Sequence, residues 1–105
     1  MRGKNNMSKI FEPNVFCRVP ASKPHNQTAK YFVAIGLEDW ENDGKNTVIK
    51  IQMEYDGKRQ GRKAPSFPVL EADVSSEDWD NIYKAVEKVK QAYKGGVRNR
   101  EIPFE

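Results

Sequence analysis

A chain of 105 residues, 37% of them hydrophobic, is long enough for one domain with a modest core and too short for two. Charged residues of both signs make up 31% of the chain, which argues against disorder throughout, and the net charge of +3 says little about partners. The chain has one cysteine, Cys17, which excludes an intrachain disulfide. Its one histidine, His25, lies in a polar, proline-flanked stretch and offers little for Cys–His catalysis. We therefore expect Cys17 to be buried and inert, and we expect neither enzyme activity nor a cofactor.

The compartment and the membrane relation follow from the same composition. No apolar run approaches the ~18 residues that a membrane span needs, so no membrane partner is expected. A lone cysteine fits a reducing compartment. The polar residues 1–10 are expected to be a flexible N-terminal segment.

The next part of the chain predicts β-structure. Runs rich in β-branched and aromatic residues indicate strands at Asn14–Val19, Lys30–Trp40 and Asn46–Tyr55. Asp-Gly steps at residues 43–44 and 56–57 predict turns after the second and third strands. A fourth strand is predicted at Arg62–Val69, where two prolines restrict it to a sheet edge or an irregular strand.

From residue 75 the apolar period becomes helical. Ser75 or Ser76 is the expected N-cap, and Gly95 with Gly96 is expected to end the helix. The apolar stripe consists of Trp79, Ile82, Tyr83, Val86, Val89 and Tyr93. Trp79 is expected to anchor the helix on the sheet, so its loss should cost about 3–5 kcal/mol.

These elements predict an α+β fold, with a four-stranded antiparallel sheet followed by a C-terminal helix. The predicted domain spans residues 11–94, and residues 95–105 form a tail. One amphipathic helix covers only part of one sheet face. The remaining apolar surface therefore needs a second copy of the chain or a ligand.

A basic run provides the main functional signal. Between Asp56 and Glu71 there is no acidic residue, whereas Lys58, Arg59, Arg62 and Lys63 all lie there. Single-stranded nucleic acid needs cations for its phosphates and flat aromatic surfaces for its bases.

Aromatic residues end the second and third predicted strands. These are Trp40 and Tyr55, with Lys45 on the hairpin between the two strands. In the alternative interpretation Tyr55 belongs to the apolar core side of its strand, and the basic run only aids solubility. The acidic turn around Asp43 lacks a nearby His or Cys, so no metal site is expected there.

The segments VIKIQMEY, GRK and SSEDWDNI, in this order, resemble the eukaryotic transcriptional coactivator family of positive cofactor four and its bacterial and phage relatives. The resemblance extends from about Lys30 to Val89. It implies a homodimer of four-stranded antiparallel sheets with C-terminal helices. It also implies β-ribbon channels that bind single-stranded DNA by aromatic stacking and by Lys and Arg contacts to phosphate.

The resemblance assigns roles to individual positions. The family's basic residues at the starts of the second and third strands are matched by Lys30 and Lys45, and its stacking aromatic after an acidic residue is matched by Trp40. Gln52 stands where the family has an arginine in the third strand. Ala64 replaces the glycine that usually follows Arg-Lys, and the segment before the helix is several residues longer.

The aromatic residue that ends the family's third strand is matched by Tyr55, and its Gly-Arg-Lys cations are matched by Arg62 and Lys63. With Lys58 and Arg59 of the basic run included, the expected nucleic-acid site comprises Lys30, Trp40, Lys45, Gln52, Tyr55, Lys58, Arg59, Arg62 and Lys63.

We accordingly expect a sequence-nonspecific single-stranded DNA-binding protein acting in replication, recombination, repair or transcription. Its expected partners are DNA, a second copy of itself and proteins of those processes. Its expected location is the cytoplasm or nucleoid of a bacterial or phage-infected cell, or the nucleus of a eukaryote. Two alternatives stay open: a single-stranded RNA binder, and a protein-interaction module whose basic hairpin is incidental.

Overall fold

The structure is a computed structural model that describes residues 10–40 and 44–105. The described chain forms an α+β fold with the elements β1 Phe11–Pro20, β2 Lys30–Trp40, β3 Gly44–Tyr55, β4 Lys58–Gln60, α1 Glu77–Lys94 and β5 Arg100–Glu101. The sheet order is β4-β3-β2-β1-β5. The segment expected to be flexible falls almost entirely on residues 1–9, outside the described residues, as does Asp43 of the predicted turn.

The sheet differs from the predicted four-stranded antiparallel one. Each strand from β1 to β4 pairs antiparallel with the next one in the chain, but β5 runs parallel to β1, so five strands form a mixed sheet. The added strand comes from the tail and is only two residues long. It is held where the Ile102 amide donates to the Phe16 carbonyl at 2.7 Å.

The fourth strand lies earlier than the predicted Arg62–Val69, which was wrong. Asp56 and Gly57 have φ values of 52° and 81°, the pattern of a two-residue turn that returns the chain at once into an antiparallel strand. Pairing therefore begins directly at Lys58, opposite Tyr55, and ends at Gln60. Residues 62–69 lie outside the sheet strands, and the prolines there have no N–H to donate to a ladder.

The core lies between α1 and the adjacent side of the sheet. The helix packs on β1 and β2. Alternate residues of the strands point towards it, and the buried core consists of Val15, Cys17, Val19, Ala29, Tyr31, Val33, Ile35, Met53, Ile82, Ala85 and Val89. Cys17 is buried, as predicted, and burial raises the pKa of its thiol. Within the described residues, no helix is long and apolar enough to cross a membrane.

A β-bulge brings two backbones close together. The register of β1 on β2 shifts between Pro13 and Val15, next to Gly36. A Cβ atom at Gly36 would lie 2.2 Å from the Glu12 carbonyl oxygen and 2.7 Å from the Pro13 Cα. Only glycine fits this position without a backbone shift.

The helix ends agree with the sequence, whereas the role of Trp79 does not. Ser76 is the N-cap, because its Oγ accepts the Trp79 amide at 3.1 Å, and Gly95 is the C-cap. The helix residues buried against the sheet include Ile82 and Val89, but Trp79 is 53% exposed and its ring meets Phe67 in the preceding loop at 5.2 Å. Trp79 directly follows the buried Asp78, so its side chain points about 100° away from that residue around the helix axis. The prediction that Trp79 anchors the helix on the sheet was therefore wrong.

A buried polar contact ties the helix start to β2 instead. The Tyr31 hydroxyl donates to Asp78 Oδ2 at 2.6 Å, and the Ser22 amide donates to the same oxygen at 3.0 Å. Burial opposes the charged form of Asp78, but these hydrogen bonds outweigh it and lower the pKa of the carboxyl group. Burial, and then the hydrogen bond to Asp78, raise the pKa of Tyr31 far above its usual value.

Candidate nucleic-acid interface

The side of the sheet opposite α1 carries aromatic rings rather than the aliphatic residues of the core. The Phe16 and Phe32 rings stack with centroids 4.9 Å apart and an angle of 23° between their planes. Successive side chains of a strand point to opposite sides of the sheet. Because Val15, Cys17 and Val19 of β1 point to the helix, Phe16 points away from it. Phe32 lies on the same side, since it pairs with Arg18. We call this surface the open face and define it by Phe11, Phe16, Arg18, Phe32, Lys50, Gln52 and Arg59.

Cations lie over these rings. The Arg18 guanidinium is 5.2 Å from the Phe16 centroid, and that of Arg59 is 5.0 Å from the Phe32 centroid. Lys50 Nζ lies 5.5 Å from the centroid of Phe11. These distances fall within the ~6 Å range of cation–π contacts. Phe32 is only 3% exposed, and the guanidinium groups of Arg18 and Arg59 lie 5.6 Å and 5.0 Å from its ring centroid.

Two buried carboxylates position the cations. Arg18 Nε lies 3.0 Å from both carboxylate oxygens of Glu54, which is 3% exposed, and Arg18 Nη1 donates to Glu101 at 2.8 Å. Burial would lower the pKa of Arg18, but its hydrogen bonds to these carboxylates and their charges outweigh it and raise that pKa. Arg18 is therefore a fixed cation with a defined orientation over the rings.

The second buried carboxylate is Glu38. It forms an ion pair with Lys50 and accepts a hydrogen bond from Trp40 Nε1 at 2.6 Å. Arg59, by contrast, donates to the neutral Gln52 side chain at 3.3 Å. Lys50 is thus paired with a carboxylate within the chain, whereas Arg59 makes its hydrogen bond to an uncharged group.

Some of the predicted site residues lie on the open-face side of the sheet, and others lie on the core side. Lys30, Gln52 and Arg59 alternate with core-facing residues and lie on the open-face side of the strands, as does Trp40, which contacts Glu38. Tyr55 packs against the core instead, as the alternative interpretation of its strand predicted. The two aromatic residues suggested by the family motif therefore face opposite sides of the sheet.

Distance separates them as well. Trp40 pairs with Gly44 at one end of β3, while Tyr55 lies at the other end. At ~3.3 Å per residue, the two ends of this strand are about 36 Å apart. Within one chain, Trp40 and Tyr55 do not form a common stacking site.

The basic residues form two groups. Those of residues 58–63, which we call the basic turn, have exposed side chains at the sheet edge, and Lys63 Nζ lies 5.2 Å from the Tyr55 ring. Lys45 lies at the far end of β3, where its Nζ is 3.7 Å from Glu12. The basic turn adjoins the open face through Arg59, whereas Lys45 does not.

Five of the open-face residues were not among the predicted site residues: Phe11, Phe16, Arg18, Phe32 and Lys50. A signal for two of them was present in the sequence, because Phe16 and Arg18 alternate with the apolar residues of β1. Within the described residues, no group of three or more His, Cys, Asp or Glu side chains could hold a metal ion. No family model, curated protein or solved structure matches the chain.

Proposed function

We propose that this protein binds single-stranded nucleic acid, chiefly DNA and without sequence preference, on the open face and the basic turn. The observation that carries the proposal is the arrangement of Phe11, Phe16 and Phe32 on one sheet face with cations over the rings. Rings of this kind stack on unpaired bases of any identity, and cations beside them meet the phosphates. Such a protein would serve replication, recombination, repair or transcription.

The mechanism involves an exchange of partners at the rings. A phosphate attracts the Arg59 guanidinium away from Phe32 more readily than it attracts Arg18, which two carboxylates hold. The ring surface that Arg59 leaves becomes available to a base. Duplex DNA offers no unstacked base to this surface, which supports a preference for single strands.

We also propose a homodimer. The helix packs on β1 and β2, and Ile49 on the same side of β3 is 50% exposed. A second copy would cover this apolar side of β3, as the deficit of one helix against a whole sheet predicts. Substitution Ile49→Lys should then shift the mass measured by light scattering from that of a dimer to that of a monomer. A variant that remains a dimer would place the contact elsewhere, and a parent protein that is already a monomer would contradict the dimer.

Fluorescence anisotropy with a labelled oligothymidylate tests the binding site. Phe16→Ala should weaken binding by about 1–3 kcal/mol if the ring stacks on a base. Arg59→Gln should reduce the salt slope by about 0.7 if the side chain neutralises one phosphate. Tyr83→Ala is the matched control, since Tyr83 is an exposed aromatic residue on α1.

Unchanged affinity of both open-face variants, with their thermal unfolding intact, would contradict this site. A parallel titration with an oligouridylate of the same length distinguishes DNA from RNA as the preferred strand. Substitution of Arg62 and Lys63 by Ala tests the remaining alternative, since an incidental basic turn predicts no loss of binding.

A further inference from the structure

An apolar groove lies at the start of α1, on the helix side of the sheet. It is an open cleft with a volume of about 460 Å³, lined in part by Phe67, Val69, Val74 and Trp79, and this volume falls within the ~300–1,000 Å³ range of ligand sites. Val69, Val74 and Trp79 are 48%, 75% and 53% exposed, and neighbouring Leu70 is 68% exposed. Clusters of exposed large apolar side chains mark interaction sites more often than isolated ones do. We call this feature the Trp79 groove.

The loop that forms one wall of the groove is held in a strained conformation. Val74 has φ of 56°, a left-handed conformation that costs a β-branched residue of order 1–3 kcal/mol. The Leu70 amide donates to the Ser75 carbonyl at 2.8 Å, and Asp73 accepts from the Ser75 amide and hydroxyl. These hydrogen bonds fix a turn that leaves the Val74 side chain 75% exposed, although transferring an apolar side chain from water to the protein interior is favourable.

Exposed acidic residues lie around the groove. Residues 64–83 contain five Asp and Glu and no Lys, Arg or His. Of the five, Asp78 is buried and bonded to Tyr31, whereas Glu71, Asp73, Glu77 and Asp80 are exposed. The cations Lys23 and Lys84 border the adjoining cleft.

Asp80 lines the groove and also stabilises the first turn of the helix. Glu71 and Asp73 lie in the loop before the helix, so stabilisation of the first helical turn does not account for them. Hydrogen bonds from Ser75 lower the pKa of Asp73, so it stays charged.

We propose that the Trp79 groove binds a basic, apolar peptide segment of a partner protein. An aliphatic or aromatic side chain of the peptide packs between Trp79 and Val74, and its Lys or Arg side chains face Glu71, Asp73 and Asp80. Charge complementarity of this kind steers association and selects the partner. The most basic segment of this chain, residues 58–63, has no apolar side chain to fill the groove, so a second copy matches it poorly.

The groove and the open face lie on opposite sides of the sheet, so both ligands fit at the same time. When nucleic acid is bound on the open face, the partner is brought next to it without competing for the same surface. This inference does not depend on the proposed nucleic-acid binding, because the groove residues are distinct from those of the open face.

The test is selection of a phage-displayed library of random 12-residue peptides on the full-length protein. Enriched peptides should combine Lys or Arg with Leu, Ile, Phe or Trp, and their synthetic forms should shift the Trp79 indole signal in a ¹H–¹⁵N spectrum. Trp79→Ala should weaken their binding by at least about 30-fold, the effect of a central aromatic contact. Tyr83→Ala, an exposed residue on the next helical turn, should change it less than about twofold.

Val74→Gly separates binding from stability. Glycine relieves the strain at φ of 56°, so the variant should unfold at the same temperature or higher while peptide binding weakens. Oligothymidylate affinity should stay the same in all these variants.

Three outcomes would overturn the proposal. The first is enrichment of acidic peptides, or of peptides that bind Trp79→Ala as well as the parent protein. The second is a dimer that Trp79→Ala converts to a monomer, which would make a second copy the occupant. The third is peptide binding that appears only after residues 1–9 are removed, which would assign the groove to the chain's own N-terminal segment.

Discussion

Replacing Arg18 by methionine removes the cation that holds the buried Glu54 carboxylate. Glu54 is 3% exposed, so the substitution leaves a charge with little access to water. Breaking a buried pair in this way costs about 3–5 kcal/mol. Arg18 itself is 33% exposed, and Lys30 and Arg59 lie opposite Glu54 on adjacent strands. We therefore expect about 2–3 kcal/mol, which corresponds to a fall of roughly 10–20 °C in Tm.

Urea unfolding of a double-mutant cycle measures this effect. The pair Arg18→Met and Glu54→Gln should be less destabilising together than the sum of the single variants, by at least about 1 kcal/mol. Lys90→Met is the control, because its ion pair with Glu87 is exposed on both sides and is expected to contribute less than about 0.5 kcal/mol. A cost for Arg18→Met as small as that of the control, or strict additivity in the cycle, would refute the conclusion that Glu54 depends on Arg18.

Three further predictions concern stability. Gly36→Ala should destabilise the fold by at least about 2 kcal/mol in urea unfolding, because its Cβ would meet the Glu12 carbonyl; a neutral effect would mean that the bulge adapts. Since the pKa of Asp78 is lowered by folding, its contribution to the free energy of unfolding should be complete above about pH 4 and lost as the pH falls below that value. If the stability of an Asp78→Asn variant fell with acid as steeply as that of the parent protein, this account would be contradicted. Ser76→Ala should cost about 1 kcal/mol through loss of the N-cap, and Ser76→Gly only a few tenths.

The longer elements of the fold were predictable from periodicity. Alternation located the three long strands, and the helix was located by its apolar stripe with Ser and Gly caps. The fourth strand was missed because KRQ has no apolar alternation and pairs only through the backbone geometry of Asp56 and Gly57. The two-residue strand β5 is held by a hydrogen bond to Phe16, 86 residues away from Ile102, which local patterns do not reveal.

The candidate site was predictable only in part. The basic turn was found from its composition, and Phe16 and Arg18 were discoverable from their alternation with Cys17. The partners of Arg18 lie 36 and 83 residues away, so only the strand register shows which carboxylates hold it. Trp40 and Tyr55 were both expected to stack on bases, but the register of the β2–β3 hairpin places them at opposite ends of β3 and on opposite faces.

The most direct test is an anisotropy titration of the protein with a labelled oligothymidylate and with a duplex of equal length, at several salt concentrations. We predict tighter binding to the single strand, with a slope of log affinity against log salt near −3 if about four cations meet phosphates. Equal or tighter binding to the duplex, or an affinity that does not change with salt, would contradict single-strand binding on the open face and the basic turn.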